Sequence, residues 1–202
     1  MKSRIPAFLL ILLFALGGPA RAADADPAAP IHLLCDKLIE VMKQGKELGF
    51  QGREDKLKPV VAAVYDMPAL TKTTLGLAAS KLTPEEVQSL ADAYARFSVA
   101  TYADQFKSWG GEKFEIGAPH PAATGGNTVV PTFIVGGDGN RTAIDYLMHE
   151  VDGSWRVVDV LFNGSVSQVA VRRSEFVPIF RQNGLAALIA VLDSKAQALE
   201  KK

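Results

Sequence analysis

Three histidines, His32, His120 and His149, and a single cysteine, Cys35, are the first side chains to test for chemistry in this 202-residue chain. The histidines have no spacing to one another or to acids that would build a metal site. There is no Gly-x-Ser-x-Gly elbow, and the glycine-rich run Gly136-Gly137-Asp138-Gly139-Asn140 lacks the following helix that a phosphate loop requires. One enzymatic arrangement survives. Asp145, Tyr146 and His149 fall on one strand, and an acid held in an apolar cavity can act as a general base. Strand parity weakens it, because Asp145 and His149 share a face while Tyr146 points the other way. Cys35 has no partner for an internal disulfide. It follows Leu33-Leu34 rather than standing directly behind an export segment, as a lipid-anchored cysteine would, so it reads as a packing residue. No catalytic residue, no metal and no cofactor is expected.

The elements that would carry such side chains centre on Ile144 to Phe180. Two apolar strand candidates meet at Asp152-Gly153, where both central residues of a type I′ turn need positive φ, and the second strand runs through Asn163-Gly164 into a helix bearing Arg172 and Arg173. Further strands are expected at Lys113 to Gly117, Thr128 to Val135, Thr142 to Val151 and Ser154 to Phe162, which makes an antiparallel meander of about four strands. Its alternation is unusual. Val129, Pro131, Phe133 and Val135 alternate with Val130, Thr132 and Ile134, so both faces are apolar where a one-sided sheet would show one polar face. Likewise Trp155, Val157 and Leu161 oppose Val158, Val160 and Phe162 across the pleat, with Asp159 as the one interior charge. Either helices cover both faces or one face lines an apolar cavity.

Helices surround this sheet. Leu34, Leu38 and Val41 with Met42 predict a helix from Ile31 that ends near Gly45 to Gly49. A short helix over Lys56 to Tyr65, broken at Pro59, and a third from Asp66-Met67-Pro68 toward Gly76-Leu77 follow. Thr83-Pro84-Glu85-Glu86 supplies an N-cap, a proline at the first helical position and acids in the first turn, so a long helix is expected from Thr83 to about Trp109. Val87, Leu90, Tyr94, Phe97, Thr101, Phe106 and Trp109 form its aromatic stripe. Asn183-Gly184 divides two final helices, Ser167 to Arg181 and Leu185 to Leu199. The result is an α+β domain: a curved antiparallel sheet, a long helix against its concave side and a further helical layer.

The amino terminus reads as an export signal. Met1 to Arg4 is basic, Ile5 to Leu16 almost wholly apolar, and Ala20-Arg21-Ala22 places small residues at a cleavage site. Residues 1–22 are therefore expected to be a signal peptide, 23–30 a mobile Ala/Pro-rich leader and 31–202 a single domain. The whole chain is neutral, with 22 basic and 22 acidic residues; losing Lys2, Arg4 and Arg21 leaves 19 against 22, a charge of −3. No basic surplus remains to neutralise the phosphates of a nucleic acid.

The ordered set LTPEEVQSLADAYARFSVATYADQF, VVPTFIV, SWRVVDVLFNGSVSQVAVRRSEF and GLAALIAVLDSK, behind a signal peptide, resembles the MlaC family of periplasmic lipid-binding proteins, also called toluene-tolerance proteins. WRVVDVLFNGSVSQVAVRRSEF is most similar to the hopanoid-biosynthesis-associated HpnM branch. The resemblance spans about Ile31 to Lys195. It implies a fold similar to nuclear-transport-factor-2-like domains, with a lipid, either a hopanoid or a phospholipid, carried in an internal cavity between inner-membrane transporter components and the outer membrane. It implies no enzymatic activity. The other readings are a small-molecule enzyme using the acid and histidine above, and a non-catalytic envelope adaptor.

On that resemblance and on face parity, the expected lipid-lining residues are Tyr102 and Phe106 on the long helix with Val130, Tyr146, Met148, Val158, Val160 and Phe162 on the sheet. Arg172 and Arg173 are candidates for a headgroup or a partner's acidic rim, against the alternative of a solvated helix face. Asp159 is expected to accept a hydrogen bond at the sheet edge or from the Gly164-Ser165 turn.

Overall fold

The computed structural model describes residues 26–123 and 125–201. The expected signal peptide lies outside the described residues, as do the first three positions of the leader. The leader is shorter than expected, because α1 (Ala29–Lys43) already starts at Ala29, Pro30 occupies its first turn, and Ala28 is buried. Ile31, Leu34, Cys35, Leu38, Val41 and Met42 form its buried stripe.

α2 (Gly45–Val64) begins eleven residues before the expected Lys56 and is interrupted at Gly49, whose φ of 62° lies in the left-handed region. Its amino-terminal part escaped the periodicity because a charged residue takes a core position. Arg53 is buried, donating Nε to the Ala103 carbonyl and a terminal nitrogen to the Gly45 carbonyl, both at 2.8 Å. Pro59 does not break the helix, since it lies on the exposed face where water can replace the lost bond. α3 (Met67–Leu75) is capped by Asp66, which accepts the Ala69 amide at 2.8 Å, and a 3-10 turn (Gly76–Lys81) follows.

α4 (Pro84–Gln105) opens with the expected capping box. The Glu86 amide donates to the Thr83 hydroxyl at 3.2 Å, and the Thr83 amide donates to the Glu86 carboxylate at 2.8 Å. It ends four residues short of Trp109. Phe106 leaves the helix axis to sit between Tyr102, 5.8 Å away centroid to centroid, and Phe114 of the first strand, at 6.3 Å. Trp109 is left half exposed on a loop, donating its indole N–H to the Glu112 carbonyl.

The sheet has six strands rather than about four: β1 (Lys113–Ile116), β2 (His120–Pro121), β3 (Thr128–Val135), β4 (Arg141–Val151), β5 (Ser154–Phe162) and β6 (Val166–Ser167). The order is β1-β3-β4-β5-β6, all antiparallel, with β2 also on β3. Asp152 and Gly153 turn β4 into β5 with φ of 50° and 72°, the positive pair that a type I′ turn needs. Val130, Tyr146 and Val160 are cross-strand neighbours in one row, and Thr132, Ile144 and Phe162 in the next, so they share one face. That face packs on the helices. The opposite one, with Pro131, Phe133, Leu147 and Leu161, is half exposed, so the apolar character of both faces does not mean that helices bury both.

Between Leu147/Met148 and their partners the register shifts, with Leu147 opposite Asp159 but Met148 opposite Val157. Val158 is the additional residue of a β-bulge. The expectation that Val158, Val160 and Phe162 share a side fails here. Beyond the bulge Val157 takes the inner face and is completely buried, whereas Val158 is half exposed.

α5 (Gln168–Glu200) is kinked at Gly184, with φ 81° and ψ −178°, where two helices were expected to part. α4 packs chiefly on α5, α2 and α3, and reaches the sheet through the aromatic side chains at its end.

Candidate functional site

A cleft of about 130 Å³ opens where α3, α4, β5 and the first turns of α5 converge. Each wall has a local cause. Asp66 ends α2 and caps α3, turning Tyr65 inward and presenting Met67 and Leu70. The stripe of α4 contributes Tyr94, Phe97, Thr101 and Tyr102. Past the bulge β5 offers Val160 and Phe162, and α5 adds Val169 and Arg172. A wider groove of about 830 Å³ lies between α2, α4 and the end of α5. Its walls carry Phe50, Val61, Ala95 and Val99 together with Glu54, Asp55, Asp92, Asp193, Glu200, Lys58 and Arg96, so several charges would have to be desolvated by a hydrocarbon occupant. The smaller, aromatic cleft is the candidate site.

Asp159 fixes the end of β5 against α5. Its carboxylate accepts the Val160 amide at 2.7 Å, the Val169 amide at 3.0 Å and the Ser167 hydroxyl, while Ser167 itself caps α5 through the Ala170 amide. Of the two expected donors, the sheet edge supplies one through Ser167 of β6, while the Gly164-Ser165 turn gives way to the first turn of the helix, whose free amides favour an anion. On the other side, the Asp66 amide donates to the Val157 carbonyl at 3.1 Å, and Arg156 donates to the carbonyls of Ala62 and Ala63.

Phenols form the floor. The Tyr65 and Tyr102 hydroxyls hydrogen-bond each other with ring centroids 6.4 Å apart, and Tyr146 lies buried behind them. Burial pushes the Tyr102 phenol up to about 12 and Tyr94 likewise to about 12, and it raises Tyr65 and Tyr146 well above the usual tyrosine range. All four are neutral at physiological pH and serve as hydrogen-bonding groups. Cys35 is also buried, and its thiol is pushed up to about 12, which removes it from thiolate chemistry.

Of the residues expected to line a cavity, Tyr102, Val160 and Phe162 stand on the cleft wall together with Arg172. Val130, Tyr146 and Met148 lie directly behind it in the solid core, and Phe106 continues the aromatic row toward β1. Val158 is displaced by the bulge. Arg172 packs over the Phe97 ring at 4.9 Å and pairs with Glu175 at 3.3 Å, and Lys195 reaches Glu175 at 3.0 Å. Arg173 turns to the end of α3 instead, donating to the carbonyls of Thr73 at 2.5 Å and Thr74 at 3.3 Å. Asp145, Tyr146 and His149 do not converge. His149 is bound to Asp66 at 2.9 Å, and Tyr146 faces the core. Tyr65, Leu70, Tyr94, Phe97 and Val169 were not singled out as lining. Tyr94 and Phe97 stood on the α4 stripe, but no local pattern marks Tyr65 or Leu70.

The model of the MlaC protein family matches residues 34–194. The toluene tolerance protein ttg2D of Pseudomonas putida is 23% identical over 131 residues, which span 64% of this chain and 60% of that protein. Among solved structures, a phospholipid-binding protein from Ralstonia solanacearum in complex with a phospholipid superposes with a TM-score of 0.72 at 20% identity. The match covers 87% of this chain and 99% of that one. At this identity the structural likeness concerns the fold.

Proposed function

The chain belongs to the MlaC family, and from that premise we propose that it is a non-enzymatic periplasmic lipid carrier that encloses the acyl tails of a phospholipid in the aromatic cleft. It takes that lipid from, or delivers it to, inner-membrane transport machinery, with the outer membrane at the other end of the route. The observation that carries this reading is the cleft itself: an apolar, aromatic recess between sheet and helices with one cation, Arg172, in its lining. Moving a two-tailed lipid through water exposes about thirty methylenes, which at ~0.8 kcal/mol each costs roughly 24 kcal/mol, so the tails must be enclosed. Ligand sites for drug-sized molecules occupy about 300–1,000 Å³. Enclosing two acyl tails in a cleft of about 130 Å³ would require its walls to separate. Tyr102, Val160 and Phe162 meet the tails first. Val130, Tyr146, Met148 and Phe106 form the layer that a deeper chain would reach, and Arg172 faces the headgroup phosphate. The sequence holds no phosphate-binding loop for ATP, so the energy for transfer comes from a partner.

The phospholipid assignment takes support from the name of the Ralstonia protein. A rigid polycyclic hopanoid would require a broader recess than this slot between helices. Native mass spectrometry of the protein purified from cells without detergent tests both points. The expected result is a co-purifying mass that fragments as a phospholipid. A hopanoid mass would reassign the cargo, and repeated absence of any lipid would sink the carrier reading.

A further inference from the structure

Two phenols on the cleft wall, Tyr65 and Tyr102, hydrogen-bond each other through their hydroxyls, and Tyr146 stands behind them in the core. Each phenol brings one hydrogen. That contact uses one hydrogen, so one O–H of the pair remains unshared whichever phenol donates. It stands on Tyr65 or Tyr102, both of which line the cleft. Beside Gln105, Gln168 and the Ser98 and Thr101 hydroxyls already given to helix carbonyls, the recess therefore presents a phenolic O–H that needs an acceptor from whatever fills it. Arg172, on the α5 wall of the same recess, is the anion-facing group.

We propose that this unshared phenolic O–H donates to an ester carbonyl of the bound lipid, so that Tyr65 and Tyr102 select acyl-ester lipids over hydrocarbon of equal bulk. The inference rests on the carrier reading and deepens it. A lipid phosphate, glycerol esters and tails follow one another in that order, and the cleft offers a cation, a phenol donor and apolar side chains. A ligand without the carbonyl leaves the donor buried and unpaired, which is the situation in which a polar site discriminates most strongly.

The test is a competition between a diacyl phosphatidylethanolamine and its dialkyl ether analogue of the same chain length, read by native mass spectrometry of the reloaded protein. One net hydrogen bond predicts about a three- to tenfold preference for the ester. The double variant Tyr65→Phe/Tyr102→Phe, which keeps both rings, is expected to bind both lipids and prefer neither. An isotope-labelled ester carbonyl gives a second readout independent of that variant, since its infrared stretch shifts to lower frequency on binding to the wild-type protein. Equal binding of ester and ether by the wild type, or an ester preference that survives in the double variant, overturns the assignment. If the wild type binds neither lipid, the carrier reading itself falls and takes this one with it.

Discussion

Replacing Asp159 separates the cleft's two chain-adjacent walls, and its cost can be worked from the bonds it makes. The carboxylate receives the Val160 amide at 2.7 Å, the Val169 amide at 3.0 Å and the Ser167 hydroxyl. Hydrogen bonds to a charged group contribute about 1.5–3 kcal/mol each, but these three are only part-buried and water recovers part of the loss. Ser167 also retains its cap on the Ala170 amide at 3.0 Å, so α5 keeps its start. Asp159→Ala should therefore cost about 3 kcal/mol and Asp159→Asn, which keeps one acceptor oxygen, about 1–2 kcal/mol. For a chain of this size that is a melting-point decrease of about 6–12 °C for the alanine variant. Urea denaturation followed by circular dichroism measures it directly, with an unchanged slope confirming that the folded state is intact. An alanine variant within 1 kcal/mol of wild type, or an asparagine variant as unstable as the alanine one, would refute the role given to this carboxylate.

Three further outcomes are expected. Val157→Ala should cost about 2–3 kcal/mol in urea and Val158→Ala less than about 1, because the bulge buries the first and not the second; the reverse order would mean that β5 runs unbulged. Stability should begin to fall near pH 9, where the Cys35 thiol ionises in the unfolded chain but not in the folded one, and fall steeply between about pH 10 and 12. There the unfolded chain releases phenolic protons that the folded one retains, and the four tyrosines together give a slope of up to ~5 kcal/mol per pH unit. Tyrosinate absorbance should accordingly appear together with unfolding, and a phenol ionising freely near pH 10 in the folded protein would contradict its burial. Arg173→Ala should cost about 1–2 kcal/mol and Arg173→Lys nearly as much, since a single ammonium cannot reproduce the fork on the Thr73 and Thr74 carbonyls. Full recovery by lysine, measured by thermal melting, would leave only a charge effect.

Local signals carried much of the architecture. The capping box of α4, the Asp152-Gly153 turn and the break at Gly184 depend on residues adjacent in sequence, and the structure has each of them where the residue types require. The bulge was hidden because Val157 and Val158 are the same residue type, so alternation has no mark for which of them is additional. Arg53 concealed part of α2, since a charge at a core position becomes tolerable only when two distant carbonyls are in place. The phenol pair is of the same kind. Tyr102 stands on α4 and Tyr65 at the end of α2, and their meeting depends on how the two elements converge, which no spacing within one element encodes.

The link at Tyr65-Asp66 has a consequence for aggregation. β5 borders β4 on one side, and its other edge would present unpaired amides and carbonyls to any passing strand. Tyr65 bridges Val157 there, the Asp66 amide takes the Val157 carbonyl, and β6 pairs with Leu161 and Phe162 at the far end. The segment that lines the cleft is therefore also the guard on a sheet edge whose outer face is already half exposed and apolar. If loading swings that segment away, the carrier bares a templating edge for as long as the cleft is open. Natural variants should therefore tolerate a loosened core more readily than a loosened Tyr65-Asp66 link.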